Sequence, residues 1–516
     1  MIADNAIDSL DAHQLREVVG ALRAELARKD KALLLKQTLV DKLTHENAVL
    51  KRLKFAAQSE AYTPEQKSLL DETFDMDLAA VAREIEDAQP KKPDGEKRQP
   101  KRAPLPAHLP RHDVHHEPTS TTCKCGCTMK RIGEDVSEKL DYTPGVFTVE
   151  RHVRGKWVCA ECETLVQAPM DPHIIDKGIP TTRLLAQVLV AKYLDHLPLY
   201  RQEAIFERAG MAIARSTLAQ WVGECGVQLQ PLVDALTAEL LKAPVLHADE
   251  TPVPMLKPGK GKTHRAYMWS WCTTQFHDIR AVVFNFAETR GGQNARDFLK
   301  LGTDAGWRGS LIVDDFSGYK QCFDLGVTEV GCMAHARRKF HELWANHQSK
   351  VGEQALKFFQ ALYDVERDAA GLGSEDRRAL RLQRAKPVAD ALKQWLDEHR
   401  QKVPDGSATA KALDYSRRRW EALTRYLGDG RLPIDNNWVE NQIRPIALGR
   451  SNWLFAGSLR AGKRAAAIMS LLHSARINGH DPYAYLRDVL ERLPLQPASR
   501  IGELLPHRWI AIPAPH

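Results

Sequence analysis

Pro244-Val-Leu-His-Ala-Asp249-Glu-Thr251 decides the fold: an apolar run of strand character ends on carboxylates. Ser310-Leu-Ile-Val-Asp314-Asp-Phe-Ser-Gly-Tyr319 repeats the arrangement, and strand signals at Tyr267 to Cys272 and Ala281 to Phe286 lie between the two. Short apolar runs bounded by turn residues predict buried strands. Much later, Leu432-Pro-Ile-Asp435-Asn-Asn-Trp-Val-Glu440-Asn-Gln-Ile-Arg444 predicts a loop entering a helix, with a third carboxylate in its first turn. Three hard oxygen ligands on separate elements suit two magnesium ions, which activate a water or hydroxyl and stabilise the leaving oxygen of a phosphodiester. Taken singly, each acid also has a structural explanation. Glu440 stands three residues after Asn437, a spacing that fits a capping box as well as it fits catalysis.

Basic residues flank these acids: His335, Arg337, Arg338 and Lys339 on one side, Arg444, Arg450, Arg460, Lys463 and Arg464 on the other. Such sets suit phosphate clamping, or else a solvated helix face. Trp453 fits a core position better than a wedge between bases. The chain between Asp314 and Glu440 is longer than a compact core needs, and Leu356 to Leu427 is helical and charged, so a helical insertion is expected at about 345–428. Pro258-Gly-Lys-Gly261-Lys262-Thr263 resembles the end of a P-loop, but Leu256 stands where that motif requires glycine. A basic hairpin is expected there instead, and nucleotide hydrolysis is not supported.

Upstream, Thr181 to Leu241 is helical in pattern. A helix from Leu199, a turn at Gly210 and a second helix capped near Ser216 follow the order of a helix-turn-helix, which can lay its second helix, with Arg215 at its start, in a DNA major groove. Helical hairpins also occur in cores that never meet DNA. Five of the nine cysteines lie in Cys123-Lys-Cys125-Gly-Cys127 and Cys159-Ala-Glu-Cys162, with strand-like sequence from Val146 to Val153 between them. Two cysteine turns across a hairpin suit one tetrahedral zinc, held by four of these five sulfurs. His112, His115 and His116 read as solvated, and Cys225, Cys272, Cys322 and Cys332 as small buried side chains.

Pro90 to Pro110 contains six prolines among lysines and arginines, a composition that builds no core and predicts an extended linker. Before it, Ala12, Val19, Leu26, Leu33 and Val40 recur at one position of a heptad, with Leu15, Leu22, Leu43 and Leu50 at the other. Such a seam predicts a coiled coil, interrupted by Lys29, Lys36 and Asn47, and so self-association; an amphipathic helix docked on its own protein is the alternative.

The 516 residues suggest about three or four folding units. With 43% hydrophobic and 27% charged residues the chain has ordinary globular proportions, which argue against disorder and a membrane bundle. No long uncharged apolar run or leader-like start is present, so a cytoplasmic, nucleoid-associated protein is expected. The net charge of +7 permits a polyanionic partner without requiring one.

His-Ala-Asp249-Glu-Thr, Asp314-Asp-Phe-Ser-Gly-Tyr, Cys332-Met-Ala-His335-Ala-Arg-Arg-Lys-Phe340, and Asp435 to Glu440 continuing through Gly449-Arg-Ser-Asn-Trp453-Leu-Phe-Ala-Gly-Ser458 together resemble the transposases of the insertion sequence 66 family, which are DDE transposases. The resemblance covers nearly the whole chain. It implies a multidomain α+β protein: a coiled-coil, leucine-zipper-like helix at 1–56, a partly helical segment and basic linker at 57–114, a zinc-binding β module at 115–175, a helical DNA-binding region at 178–242, a ribonuclease-H-like mixed α/β catalytic core at 243–465 and a helical carboxy-terminal region at 466–516. It further implies Asp249, Asp314 and Glu440 as a catalytic triad holding two magnesium ions, with manganese able to substitute, and a structural zinc. Asp315 replaces the usual small residue, which leaves the second ligand open between Asp314 and Asp315. The compressed first cysteine cluster leaves the zinc ligands open in the same way.

The implied activity is binding of the element's terminal inverted repeats, metal-dependent strand cleavage, and strand transfer into target DNA by a homodimer or higher homo-oligomer. Accessory proteins encoded by the same element, and no membrane, belong to the same expectation. A catalytically inactive DNA-binding repressor or architectural protein is the alternative.

Overall fold

The structure, a computed structural model, describes residues 12–57, 64–88, 105–107, 109–122, 126–143, 145–175, 178–256 and 263–511. Helices α1 (Ala12–Ala57) and α2 (Pro64–Ala88) come first. A small sheet follows, made of β1 (Arg111–His116), β2 (Met129–Thr143), β3 (Val146–Cys159) and β4 (Leu165–Gln167), in which β3 pairs antiparallel with β2 and β4 and parallel with β1. Helices α3 (Thr182–Tyr193), α4 (Leu199–Arg208) and α5 (Arg215–Leu240) lead into a larger sheet.

That sheet contains β5 (Val245–Leu256), β6 (Thr263–Thr273), β7 (Val282–Ala287), then α6 (Gln293–Phe298), β8 (Ser310–Val313), α7 (Lys320–Asp324) and β9 (Thr328–Gly331). Its strand order is β7-β6-β5-β8-β9. The first three strands pair antiparallel, and β5, β8 and β9 run parallel. Helices α8 (Met333–His347), α9 (Lys350–Asp368), α10 (Ser374–Leu380), α11 (Lys386–Arg400), α12 (Ala408–Arg418) and α13 (Trp420–Thr424) fill the chain before α14 (Asn437–Trp453). Helices α15 (Leu459–Ile477) and α16 (Pro482–Arg492) follow. No described helix is long and apolar enough to cross a membrane.

Alternation along the strands divides the interior into two cores. Leu246, Ala248, Leu311 and Val313 enter one that draws on α3, α5, α15 and α16. Val245 and Ile312 enter another, built with α8, α9, α11 and α12. The parallel strands are therefore covered on both faces, which is why they read as continuous apolar runs.

The heptad at the amino terminus divides. Leu26 and Leu33 are 64% and 54% exposed, whereas Leu43 and Leu50 are 3% and 7% exposed and pack with Leu69, Phe74 and Val81 of α2. The second half of the seam thus meets the chain's own helix. At Ala12, Leu15, Val19 and Leu22 the side chains lie outside the described residues.

Helix α2 is in turn anchored in the core. Gly223 of α5 lies so close to it that an added Cβ would stand 2.4 Å from the Met76 carbonyl. Arg464 donates to Asp77 at 2.9 Å with both side chains buried, and Arg460 pairs with Glu46 of α1 at 2.8 Å and Glu84 of α2 at 2.6 Å. This corrects the expectation for Arg460 and Arg464: their charges are spent on helix docking.

The helix, the turn at Gly210 (φ 89°) and the second helix expected here are all present, and only the cap differs. The cap of α5 is Ala214, not Ser216, because Glu203 of α4 accepts the Arg215 backbone N–H at 2.8 Å and does the work of a cap from outside. Leu218, Val222, Cys225, Leu229, Leu232 and Leu236 bury the helix along its length. Gln220, Gln230, Pro231, Asp234 and Ala238 remain exposed along it.

Candidate active site

Strand register brings the first two acids together. His247 stands level with Ile312 across the parallel β5–β8 pair. Two residues further, the same register sets Asp249 beside Asp314, just past the end of β8, and the two-residue period turns both toward the face that carries Val245 and Ile312.

The segment entering α14 is fixed against that face. Asn436 Oδ1 lies 2.8 Å from His247 Nδ1, its Nδ2 donates to the Ala248 carbonyl at 2.9 Å, and its backbone N–H donates to Cys332 Sγ at 3.2 Å. Burial holds His247 down at about 4, so the ring is neutral; since the Asn436 amide nitrogen is already spent on a carbonyl, the imidazole donates through Nδ1. Glu440 follows one helical turn later.

These carboxylates act on one another. Asp249 is pushed up to about 8, first by burial and then by the charges of Glu250, Glu440 and Asp314, partly offset by the Glu250 backbone N–H at 2.9 Å. Glu440 divides its oxygens, Oε2 lying 3.7 Å from Arg338 and Oε1 3.8 Å from His335 Nδ1.

The capping-box explanation of Glu440 is not met. Asn436 is the cap, Asn437 lies within the helix and donates to Asp435 at 3.0 Å and 2.8 Å, and Glu440 Oε1 is buried without a hydrogen-bond partner.

The two adjacent aspartates part company. Asp314 Oδ1 accepts the Phe316 N–H at 2.9 Å, while the Asp315 side chain is 54% exposed and turns to Arg419 at 3.5 Å. On the opposite face of β5, Glu250 accepts Arg290 at 2.5 Å and the Tyr319 hydroxyl at 2.8 Å, and the Arg290 guanidinium lies 3.9 Å from the centre of the Phe316 ring. The turn after Asp314 is thereby clamped from behind.

Among the basic residues expected at DNA, Arg337, Arg338, Lys339 and Arg444 are exposed on α8 and α14, the helices that flank the acids. His335 faces Glu440. Lys339 Nζ lies 5.6 Å from the centre of the Tyr415 ring. Arg450 departs from the expectation, its guanidinium donating to the Pro252 carbonyl at 2.9 Å, and Lys463 lines a separate cleft with Lys42, Glu46 and Glu84. Arg215 begins α5 and is half-buried, and Trp453 packs against the core.

In the small sheet, Cys127 just precedes β2, Cys159 ends β3 opposite Met129, and Cys162 sits in the turn beyond. Cys127, Met129, Trp157, Cys159 and Val166 pack together, which puts two cysteine-bearing turns at one end of the hairpin. Cys123 and Cys125 lie outside the described residues, as does most of the basic hairpin expected between β5 and β6. His116 Nε2 is 3.0 Å from His152 Nδ1, a pairing of strands rather than free solvation.

Sequence reasoning missed His247, Glu250, Arg290, Cys332 and Asn436 as structural partners of the site. For His247 a signal existed: a polar residue two before Asp249 in an apolar strand shares its face.

Residues 177–464 match the family model described as "Transposase IS66 family", and 470–507 the "IS66 C-terminal element". Residues 120–163 match the "zinc-finger binding domain of transposase IS66", and 42–114 the "Transposase C of IS166 homeodomain". Three proteins of Sinorhizobium fredii are similar along most of their length. Uncharacterized protein y4qI is 35% identical over 95% of this chain and 92% of its own, and uncharacterized protein y4jD is 34% identical over 91% and 94%. Uncharacterized protein y4hP is 35% identical over 77% and 74%. Matched by four family models in succession, and similar to two of these relatives nearly end to end, the chain belongs to the IS66 family of transposases.

Proposed function

We propose that this transposase cuts and joins DNA through Asp249, Asp314 and Glu440 in a ribonuclease-H-like core, the larger sheet and its flanking helices. The observation that supports this reading is the approach of three carboxylates from β5, the end of β8 and the first turn of α14: burial and the neighbouring Glu250 do most to push Asp249 up to about 8, and the charges of Glu440 and Asp314 add to it. Crowded acids of this kind fit hard divalent cations, because a cation relieves the repulsion and oxygen is the donor such ions prefer. Magnesium, or manganese in its place, supplies Lewis-acid activation of the attacking and leaving oxygens when bound.

The chain's own contribution is placement. β5 and β8 present Asp249 and Asp314 side by side, the Asn436 hydrogen bonds hold the start of α14 against them, and Arg338 steadies one oxygen of Glu440. Arg337, Arg338 and Arg444 offer positive charge to DNA phosphates on either side of the acids. In the amino-terminal half, four of Cys123, Cys125, Cys127, Cys159 and Cys162 hold a structural zinc, with Cys159 and Cys162 joined by Cys123 and either Cys125 or Cys127. The exposed Leu26 and Leu33 of α1 provide a seam for self-association.

The test is incubation of the full chain with magnesium and the DNA that flanks its own coding region, followed by strand-resolved mapping of cuts. Metal-dependent nicks that free a 3′ hydroxyl at the element ends are expected. Binding of those ends without cutting in magnesium or manganese would sink the reading in favour of a repressor.

A further inference from the structure

Beside the carboxylates lies a donor set of different chemistry. Cys332 caps α8, His335 lies one turn along the same helix, and Glu440 faces both from α14; their ligand atoms all fall within 4.8 Å of one another. The two helix starts are joined directly, since Met333 N–H donates to the Ile434 carbonyl at 3.1 Å and Asn436 N–H to Cys332 Sγ at 3.2 Å. His335 Nδ1 and Glu440 Oε1 are both buried without a hydrogen-bond partner, 3.8 Å apart. Orphaned buried polar atoms are costly, and two that converge on a sulfur call for a shared partner.

The separation is that of a coordination edge: zinc bonds of about 2.0–2.2 Å to nitrogen and oxygen in tetrahedral geometry put the two atoms roughly 3.3 Å apart, a small rotation from what is observed. One sulfur, one imidazole nitrogen and one carboxylate oxygen suit a borderline-soft ion and suit magnesium poorly. The Asn436 N–H already directed at Cys332 Sγ is the outer-shell hydrogen bond that a metal-bound thiolate needs. Arg338 engages Glu440 Oε2, so Oε1 is the oxygen left for the ion.

We propose that Cys332, His335 and Glu440 form a binding site for a thiophilic divalent cation of the zinc class, and that its occupation holds the transposase inactive by taking Glu440 away from the magnesium site. The inhibitory half rests on the catalytic role given above to Glu440; the binding half does not. On binding, the Cys332 thiol proton passes to solvent and the thiolate, the neutral His335 ring and the carboxylate coordinate the ion, leaving a fourth position for water.

Cobalt(II) added to full-length protein whose zinc module is already loaded with zinc reports the site, because a cobalt–thiolate bond gives a near-ultraviolet charge-transfer band. One new equivalent with that band is expected, absent in Cys332→Ser and weakened at least tenfold in affinity in His335→Asn. In nicking assays with fixed magnesium, the zinc concentration for half inhibition should rise at least tenfold in Cys332→Ser, read as a ratio within each variant. No band in the wild type, or an undiminished band in Cys332→Ser, would overturn the site. Cobalt binding without zinc inhibition would overturn the inhibitory half. Full nicking by Glu440→Gln would instead sink the catalytic assignment, and the cobalt titration would still decide the site by itself.

Discussion

His247 and Asn436 are joined at 2.8 Å between the central strand of the larger sheet and the cap of the helix that carries Glu440. Each is buried, and each makes the other's position necessary. Asn436→Ala leaves the buried His247 donor without its partner, at a cost of about 1–3 kcal/mol, and removes the bond to the Ala248 carbonyl. We expect lower stability in denaturant, and a loss of nicking that persists at temperatures where the variant is still folded. Full nicking by the folded variant would show that this bond does not place Glu440.

Asp249→Asn, Asp314→Asn and Glu440→Gln should each lower nicking and strand transfer by about a thousandfold or more while end binding persists, since amides replace carboxylates poorly around divalent cations. Asp315→Asn is the contrast: its side chain faces Arg419, and activity within a few fold of wild type is expected. An inactive Asp315→Asn beside an active Asp314→Asn would exchange the two assignments.

Asp77→Ala should cost about 3–5 kcal/mol, because it leaves the buried Arg464 guanidinium without its carboxylate. Urea unfolding measures it. A change below 1 kcal/mol would mean that α2 is held mainly by its apolar contacts.

Two substitutions on α1 separate pairing from docking. Leu33→Asp, at an exposed position, should weaken self-association in sedimentation and leave thermal stability alone. Leu43→Asp buries a charge against α2 and should cost about 2–5 kcal/mol. Equal sedimentation of Leu33→Asp and wild type at all concentrations would remove the seam.

His473 supplies a pH dependence. Burial, then Arg476 and His196, hold its imidazole down to about 3. The folded value lies below that of a free imidazole, so the unfolded chain binds the proton first. This contribution is complete above about pH 6.5 and is lost as pH falls toward 3, reaching about 2 kcal/mol at pH 5. His473→Met should flatten the stability curve between pH 6.5 and 5; superimposable curves would refute it.

The acids were legible because strand ends and a helix start carry them in short quotable runs. What holds them was not. Asn436 and Cys332 are distant in sequence from β5, and the bonds joining them form only when α8 and α14 start side by side. The basic clusters misled for a related reason: Arg464 and Arg460 look like a phosphate-binding set until α1 and α2 bring Asp77, Glu46 and Glu84 against them. The heptad showed a seam but could not show that its second half is covered by α2. Ser216 was a sound cap by type, displaced by a carboxylate from the neighbouring helix.

Asp249 and Glu250 are neighbours with opposite duties, one turned toward Asp314 and Glu440, the other toward Arg290 and Tyr319. Their separation is a matter of parity along β5. Removal of a single residue between Val245 and Asp249, changing no acid at all, would put the longer Glu250 in the place of Asp249 beside Asp314 and leave Thr251 facing Arg290 and Tyr319. The length of that strand is therefore as much a part of the chemistry as the carboxylates, and drift in this protein should tolerate many substitutions there before it tolerates one insertion.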